Sequence, residues 1–325
     1  MPVAQDAGAR WRPSATIETL RARAELLGSV RAFFAARDVL EVETPVLSRH
    51  ATVDRHIDSF RTADGGWLQT SPEFAMKRLL AAGSGSIYQI ARVFRRDEQG
   101  RHHNPEFSLL EWYRTGFDHH RLMDEVEALL TACLGRTLRC ERLSYRAAFE
   151  RHAGFDPLSA DAPALRRRLG EAGVAEPEGV TADEAGDPDF WLDLWMSIVV
   201  GPKLGADAPV FVYDFPASQA ALARVRAGNP PVAERFELFW RGVELANGFH
   251  ELTDAGEQER RFRGDCAWRH AQGRIVPPYD VELIAALAAG LPPCAGVALG
   301  LDRLLALHLG LDRIDATMAF AADRA

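Results

Sequence analysis

Cysteine is scarce in this chain, which has four of them among 325 residues. They lie at scattered positions, and no two of them form a C-x-x-C pair. A zinc site or a disulfide framework is therefore not expected, and the pattern fits a protein of a reducing compartment. The four residues are Cys133, Cys140, Cys266 and Cys294.

The chain also lacks an excess of positive charge and long apolar runs. Its net charge of −8 gives no support to a large nucleic-acid surface, which needs a clustered basic face. Residues 1–11 do not contain the apolar run of a signal peptide, and no stretch approaches the length of a membrane span. We therefore expect a cytoplasmic protein without a membrane partner.

A long hairpin is predicted around a charged loop. The apolar residues of Ile90–Phe94 indicate one strand and those of Phe107–Tyr113 a second, with the loop at residues 95–103 between them. Arg95 is the first candidate for an anionic ligand, because its planar guanidinium suits phosphate. A solvated hairpin tip would explain the neighbouring charges equally well, but it would not explain Glu111 among large apolar residues.

Two helices are predicted before this hairpin. The first has helical spacing from Ile17 onward, with Ser14 or Thr16 as its N-cap. A short strand follows and ends at Thr44-Pro45, an arrangement that suits either a subunit interface or an ordinary core. Ser71-Pro72-Glu73 is a strong helix start, and that helix should end near Ala82.

A pair of carboxylates forms the second chemical centre. The alternation of Phe236–Leu245 predicts one strand, and Asn247-Gly248 is typical of a turn that ends it. Such a turn would let Glu244 and Glu251 converge, and Mg²⁺ would relieve their repulsion. Alternatively, Glu244 is an edge charge and Glu251 an acid at a helix start.

The third centre is a strand followed directly by a helix. Small residues from Gly296 to Leu299 indicate the strand, and the helix should begin near Asp302. Gly300 would permit close approach of a flat ligand. Arg303 lies in the first helical turn, where its charge opposes the helix dipole, which suggests a nearby anion or a surface salt bridge.

Together these stretches resemble the signature motifs of the class II aminoacyl-tRNA synthetases. The segment F-R-R-D-E…H-N-P-E-F (94–107) resembles motif 2, G-V-A-L-G-L-D-R-L (296–304) resembles motif 3, and the helix, strand and proline of 17–45 resemble motif 1. E-V-E-T-P (41–45) and G-V-E-L-A-N-G-F-H-E-L (242–252) are similar to lysyl-tRNA synthetases. The resemblance implies an α+β fold with a mostly antiparallel sheet flanked by helices, and a homodimer formed through motif 1.

The layout is more similar to the stand-alone members that modify a protein. About fifteen residues precede motif 1, so we expect no anticodon-binding OB domain and no tRNA partner. The expected organisation is a disordered lead at 1–13 and a catalytic domain at 14–325, with a helical insertion at about 145–190. H-E-L-T-D-A (250–255) and C-A-G-V-A-L-G (294–300) are similar to the ligases that attach (R)-β-lysine or lysine to elongation factor P.

The resemblance implies a role for each motif residue, with ATP and Mg²⁺ as cofactors. Arg95 and Arg303 would be catalytic, and Glu244 and Glu251 would bind the metal. Residues implied in ATP binding are Arg95, Arg96, Asp97, His103, Asn104, Phe107, Glu244, Leu245, Gly300 and Arg303. Residues implied in binding the amino acid are Ser71, Pro72, Glu73, Glu111, Tyr113, Asn247, Glu251 and Ala298.

The expected reaction has two steps. A lysine-type carboxylate attacks the α-phosphorus of ATP, and the acyl group of the resulting adenylate passes to the ε-amine of a lysine on elongation factor P. The alternatives are a truncated synthetase-like enzyme that charges tRNA and a non-catalytic paralogue that acts as a binding or regulatory subunit.

Overall fold

The computed structural model describes residues 11–325 of the chain. Most of the predicted disordered lead, residues 1–10, therefore lies outside the described residues. Within the described part, none of the helices combines the length and the apolar character needed to span a lipid bilayer.

The described residues form ten α-helices and eleven β-strands. The helices are α1 (Ile17–Ala35), α2 (Glu73–Ala81), α3 (His119–Leu134), α4 (Tyr145–Ala153), α5 (Ala162–Glu171), α6 (Ala182–Gly186), α7 (Pro188–Trp195), α8 (Ala255–Ala271), α9 (Val281–Gly290) and α10 (Leu301–Leu309). The strands are β1 (Leu40–Glu41), β2 (Leu47–Ser48), β3 (Trp67–Leu68), β4 (Ile87–Phe94), β5 (Glu106–Thr115), β6 (Glu141–Ser144), β7 (Val210–Pro216), β8 (Val225–Arg226), β9 (Val232–Trp240), β10 (Val243–His250) and β11 (Cys294–Gly300).

The chain divides into two compact units. The first comprises the described residues up to Gly116, with Ala128–Arg136 and Thr253–Ala325, and the second comprises Phe117–Glu127 and Thr137–Leu252. The interpretation of 14–325 as one catalytic domain with an insertion stays a prediction. Residues 145–190 are helical, since they contain α4, α5, α6 and the start of α7.

The first unit is built on the predicted hairpin. Strands β4 and β5 pair antiparallel, with Val93 opposite Phe107, and β11 pairs antiparallel with the other edge of β5. The short strand β1 adds to β4 in parallel. Most pairings are antiparallel, as the resemblance implies.

Helix α1 packs on this sheet through aromatic rings. The ring of Phe34 stacks on that of Tyr88, with centroids 4.4 Å apart, and meets Trp112 at an angle, with centroids 5.4 Å apart. All three rings are buried, so their apolar area contributes strongly to stability. The helix begins as predicted, because the Thr16 side chain accepts a hydrogen bond from the Thr19 amide.

The second unit has its own strands and core. Strand β9 pairs antiparallel with β10, β7 and β8, and β7 pairs in parallel with β6. Strand β6 was not predicted. Buried aromatic residues of α4 and α7, among them Phe149 and Trp195, form the core on which the helices of this unit pack.

The predicted turn at Asn247-Gly248 is wrong. The chain reverses earlier, at Arg241-Gly242, where both residues have positive φ, 51° and 73°. Two consecutive left-handed residues are the requirement of a type I′ hairpin turn. Strand β10 then continues through Asn247 and Gly248, which pair with Glu237 and Phe236 of β9.

Candidate active site

The hairpin loop and α10 meet at Arg303. Its Nε donates a hydrogen bond to the main-chain oxygen of His102 at 3.1 Å, and its Nη2 lies 2.9 Å from Nε2 of His103. The structure thus brings together two residues predicted from separate motifs, Arg303 and His103. Burial and the positive charges of Arg101 and Arg303 lower the pKa of His102, so its ring carries little positive charge at neutral pH.

Two residues that the sequence reasoning missed hold the start of α10. Asp302 is buried and accepts hydrogen bonds from the Ser108 amide on β5 and from the Arg23 guanidinium on α1, both at 2.6 Å. Arg23 also donates to the hydroxyl of Ser108 at 2.6 Å. Because Asp302 directly precedes Arg303, this network fixes the backbone that carries the predicted catalytic arginine.

Arg95 follows β4 and lies over Phe107 at the start of β5. Its guanidinium carbon is 5.1 Å from the centroid of the Phe107 ring, within the range of a cation–π interaction. The same side chain lies 3.6 Å from the Glu98 carboxylate and remains about a quarter exposed, 25%. The partly exposed guanidinium can bind a nucleotide phosphate, and the aromatic ring beside it can position the base.

Other predicted ATP-binding residues of the loop have partners within the protein. Arg96 lies 3.3 Å from the Asp97 carboxylate, and Asp97 is exposed with a φ of 66°. Asn104 is buried: its Nδ2 donates to the carbonyl of Glu106 at 2.6 Å, and its Oδ1 accepts from the Ala322 amide at 3.1 Å. Asn104 therefore fixes the loop, and its assignment to ATP stays a prediction.

A buried acid occupies the middle of β5. Glu111 accepts a hydrogen bond from the Ser71 hydroxyl at 2.7 Å and another from the Tyr113 hydroxyl at 2.5 Å. Its side chain is 2% exposed. The Ser71 hydroxyl also accepts a hydrogen bond from the Glu73 amide, at 3.0 Å. It therefore stabilises both the start of α2 and the Glu111 carboxylate.

These residues share one face of the sheet. Phe107, Glu111 and Tyr113 are even numbers of residues apart on β5, so their side chains point the same way. Ala298 of β11 lies directly opposite Glu111 and shares that face. The face therefore carries an aromatic ring and a buried acid, with a small residue beside the acid.

Glu73 has a cationic partner that the sequence reasoning missed. Lys77 donates to it from Nζ at 2.7 Å, and the lysine is 1% exposed. The spacing of four residues on α2 could have indicated this pair. Helix α2 begins at Glu73 after Pro72 and ends at Ala81, one residue before the predicted end.

Gly300 ends β11 and caps α10 with an ordinary φ of −74°. An added Cβ would meet only the Arg303 side chain, at 3.7 Å, which is an ordinary contact. The protein alone does not require glycine here, so close approach of a ligand stays a prediction.

In the second unit, a β-bulge places the predicted metal ligands on one face. Glu244 pairs with Phe239 and Ala246 pairs with Leu238, which leaves Leu245 as the extra residue. One extra residue changes the alternation, so Glu244 and Asn247 point the same way, and Glu251 continues that face two residues beyond Phe249. The bulge thus gives Glu244 and Glu251 a common face, and their convergence on one ion stays a prediction.

An ion pair on β9 neighbours this face. Arg235 and Glu237 are bonded to each other, and Asn247 lies opposite Glu237. Burial raises the pKa of Glu237 to about 7, although the Arg235 guanidinium opposes this rise; the Glu244 carboxylate raises it further. Sequence reasoning missed both residues. Two carboxylates on one face offer the oxygen ligands that suit Mg²⁺.

The mostly antiparallel sheet and the sequence motifs together indicate the family to which this protein belongs. The family described as tRNA synthetases class II (D, K and N) matches residues 7–324. The chain belongs to this family, and the predicted fold class is confirmed.

Within the family, the chain is similar to a group of ligases along nearly its whole length. The elongation factor P–(R)-β-lysine ligase of Vibrio cholerae is 51% identical over 327 residues, covering 97% of this chain and 98% of that protein. The ligase of Yersinia enterocolitica is 50% identical over 326 residues, covering 98% and 99%. That of Salmonella paratyphi B is 48% identical over the same length, with the same coverage. The predicted resemblance to this group is confirmed.

Proposed function

We propose that this protein is an ATP-dependent ligase that activates (R)-β-lysine or lysine and transfers it to the ε-amine of a lysine on elongation factor P. The observation that carries the proposal is the nearly full-length similarity to the ligases of that name. The arginines, the aromatic ring and the buried acid of the first unit support it chemically. Its place of action would be the cytoplasm, where translation takes place.

Activation depends on positioning and charge. The substrate carboxylate is already a nucleophile, so the step needs alignment with the α-phosphorus and neutralisation of phosphate charge more than it needs a base. Arg95 would bind the α-phosphate and the carboxylate, and Phe107 would stack on adenine. Arg303, fixed by His102, would lie against the nucleotide from α10.

Glu244 and Glu251 would hold Mg²⁺, because the bulge of β10 gives them a common face. The ion would neutralise charge on the phosphates and so favour loss of pyrophosphate. Leu245 would contribute through its backbone. These assignments rest on the donor oxygens and on the resemblance.

The acids of the first unit would select a diamine. Glu111 is buried and held by Ser71 and Tyr113, so it is preorganised for an ammonium group. Glu73 would bind the second ammonium group, which would compete with Lys77 for the Glu73 carboxylate. Asn247 and Ala298 would complete the contacts and the shape of the pocket.

We also propose a homodimer formed by the segment that resembles motif 1. Apolar side chains are exposed in this segment and directly after it: Leu40 is 56% exposed, and Val46 and Leu47 are 40% and 48% exposed. Burial of such residues against a second copy would remove apolar area from water. Leu40→Asp should shift the protein from dimer to monomer in sedimentation.

The function is tested by offering two acceptors. The protein is incubated with ATP, Mg²⁺ and either (R)-β-lysine or lysine, together with elongation factor P or with tRNA. We expect a mass increase on one lysine of elongation factor P and no acyl transfer to tRNA. Appreciable charging of tRNA would refute the proposal, and the absence of substrate-dependent pyrophosphate exchange would favour a non-catalytic paralogue.

A further inference from the structure

Two histidines and a glutamate form a cluster in the second unit that the ligase reaction does not use. One potential ligand atom from each of His119, Glu234 and His250 lies within 4.8 Å of those of the other two. His119 begins α3, Glu234 lies on β9, and His250 ends β10. Three separate elements therefore converge at this place.

The environment of His119 is the strongest observation. The residue is 1% exposed, and neither ring nitrogen has a hydrogen-bond partner among the described residues. Its Nε2 lies 3.6 Å from Oδ1 of Asp214, which is too long for a hydrogen bond. A buried imidazole with an acidic neighbour at this distance but no hydrogen bond of normal length is poorly satisfied, and such a group can bind water or an ion.

Asp214 lies beside this histidine, at an irregularity in the pairing of β7 with β9. The register shifts between Tyr213 and Phe215, because one residue of β7, Asp214, lies opposite two residues of β9, Glu234 and Arg235. Asp214 itself has a φ of 58°. Bulges of this kind re-aim a side chain. Asp214 therefore adds a negative charge beside the cluster.

The second histidine faces a carboxylate closely. Nδ1 of His250 lies 2.8 Å from Oε2 of Glu234, a hydrogen-bond distance that requires a proton on Nδ1 unless both atoms bind one cation. Arg224 lies 3.1 Å from the same oxygen, and Arg226 lies 2.6 Å from the other oxygen of Asp214. Both arginines are about half exposed, 51% and 43%, so solvent screens their repulsion of an ion.

We propose that His119, Glu234 and His250 bind a divalent transition-metal ion, with Zn²⁺ as the best fit. Two imidazoles and one carboxylate are a ligand set that Zn²⁺ accepts, whereas Mg²⁺ prefers oxygen ligands. Ligands on one Zn²⁺ lie about 3.4 Å apart, so the widest pair needs to close by at most about 1.4 Å, while His250 and Glu234, now 2.8 Å apart, need to separate slightly. The scarcity of cysteine argues only against a thiolate site.

The ion would fasten the start of α3 to β9 and β10. Because β9, β10 and the first part of α3, up to Glu127, belong to the second unit, the effect of the ion would be on the stability of that unit. The proposal is independent of the ligase assignment, since no nucleotide or amino acid takes part in it.

Zinc binding by the full-length protein tests the proposal. The protein is stripped with a chelator, dialysed, and titrated with Zn²⁺ alone, without ATP, against a chromophoric chelator. We expect one tight site per chain and a higher melting temperature with zinc. His119→Leu should weaken binding by at least about tenfold and abolish the thermal shift. His120→Leu is the matched control, because His120 is adjacent and exposed, and it should bind as the wild type does.

Two further variants keep the test decisive. Glu234→Gln retains the side-chain shape and should also lose the site, even if His119→Leu fails to fold. Glu251→Gln, at the proposed magnesium pair, should keep it. Absence of a tight site in the wild type, equal losses in His120→Leu and Glu234→Gln, or loss in Glu251→Gln would each overturn the proposal.

Discussion

The guanidinium Nε of Arg303 and the main-chain oxygen of His102 are joined by a hydrogen bond of 3.1 Å. This contact connects two stretches that lie far apart in the sequence and that were each predicted to bind a nucleotide. Because an arginine bonded to the backbone loses much of its rotamer freedom before a ligand arrives, the contact preorganises the cation.

Replacement of Arg303 by alanine tests this arrangement. We expect substrate-dependent pyrophosphate exchange to fall by at least about 10²-fold, since one charged donor to the reacting phosphates is lost. The circular dichroism spectrum should be unchanged. Arg263→Ala is the control, because Arg263 is largely exposed and pairs with Glu259 within α8. Full exchange activity in the Arg303 variant would show that the ATP site is assigned wrongly.

Asp302→Ala should destabilise the fold. The substitution leaves Arg23 and the Ser108 amide without their buried acceptor, and breaking a buried ion pair in this way costs about 3–5 kcal/mol. Urea denaturation measures the change in the free energy of unfolding. Asp312→Ala provides the contrast: its side chain is 90% exposed, and we expect a change within about 0.5 kcal/mol. Similar losses in both variants would argue against the network.

Sequence reasoning succeeded where the information was local. The hairpin followed from apolar runs on both sides of a charged loop, and the N-cap of α1 is Thr16, one of the two residues that the sequence offered. Asp302 was missed because its partners, Arg23 and Ser108, are brought to it only by the tertiary fold.

The β9–β10 hairpin shows why a local signal can also mislead. Asn-Gly is the usual pair for a type I′ turn, yet the chain turns at Arg241-Gly242 and keeps Asn247-Gly248 in the strand. Pairing along the whole of β9 outweighs the preference of two residues. Glu244 and Glu251 nevertheless share a face, because a bulge, like a turn, changes which residues of a strand point the same way.

The Lys77–Glu73 pair predicts non-additive stability. Lys77→Met leaves the Glu73 carboxylate without this cation, and we expect a loss of about 3–5 kcal/mol. The double variant Glu73→Gln/Lys77→Met should lose less than the sum of the single losses, because the pair is removed as a unit. Urea denaturation of the wild type, of each single variant and of the double variant provides the double-mutant cycle. Additive losses would show that the two residues are not coupled.

Glu251→Gln should weaken the use of magnesium. Loss of one carboxylate ligand should raise the Mg²⁺ concentration for half-maximal pyrophosphate exchange by at least about tenfold. Glu282→Gln is the control, because it makes the same chemical change at an exposed residue in the first turn of α9. This variant should have the magnesium requirement of the wild type. An unchanged magnesium requirement in Glu251→Gln would refute its role as a ligand.

Two half-buried thiols, those of Cys133 and Cys140, predict a pH dependence of reactivity and stability. Burial raises the pKa of Cys133 from 9.0 to about 12 and does the same for Cys140, where the Glu127 carboxylate adds to the effect. Since the thiolate is the reactive form, iodoacetamide should label both residues far more slowly in the folded protein at pH 8 than in urea.

The same shift acts on stability with a definite sign. Above about pH 9 the unfolded chain releases these protons while the folded protein retains them, so their contribution to stability should fall progressively as the pH rises towards 12. A Cys133→Ala/Cys140→Ala variant should therefore lose less stability than the wild type over this range, as measured by urea denaturation at each pH. Mass spectrometry locates the labelled thiols. Equal labelling rates in the folded and unfolded protein at pH 8, or parallel pH profiles of the two proteins, would contradict the raised pKa values.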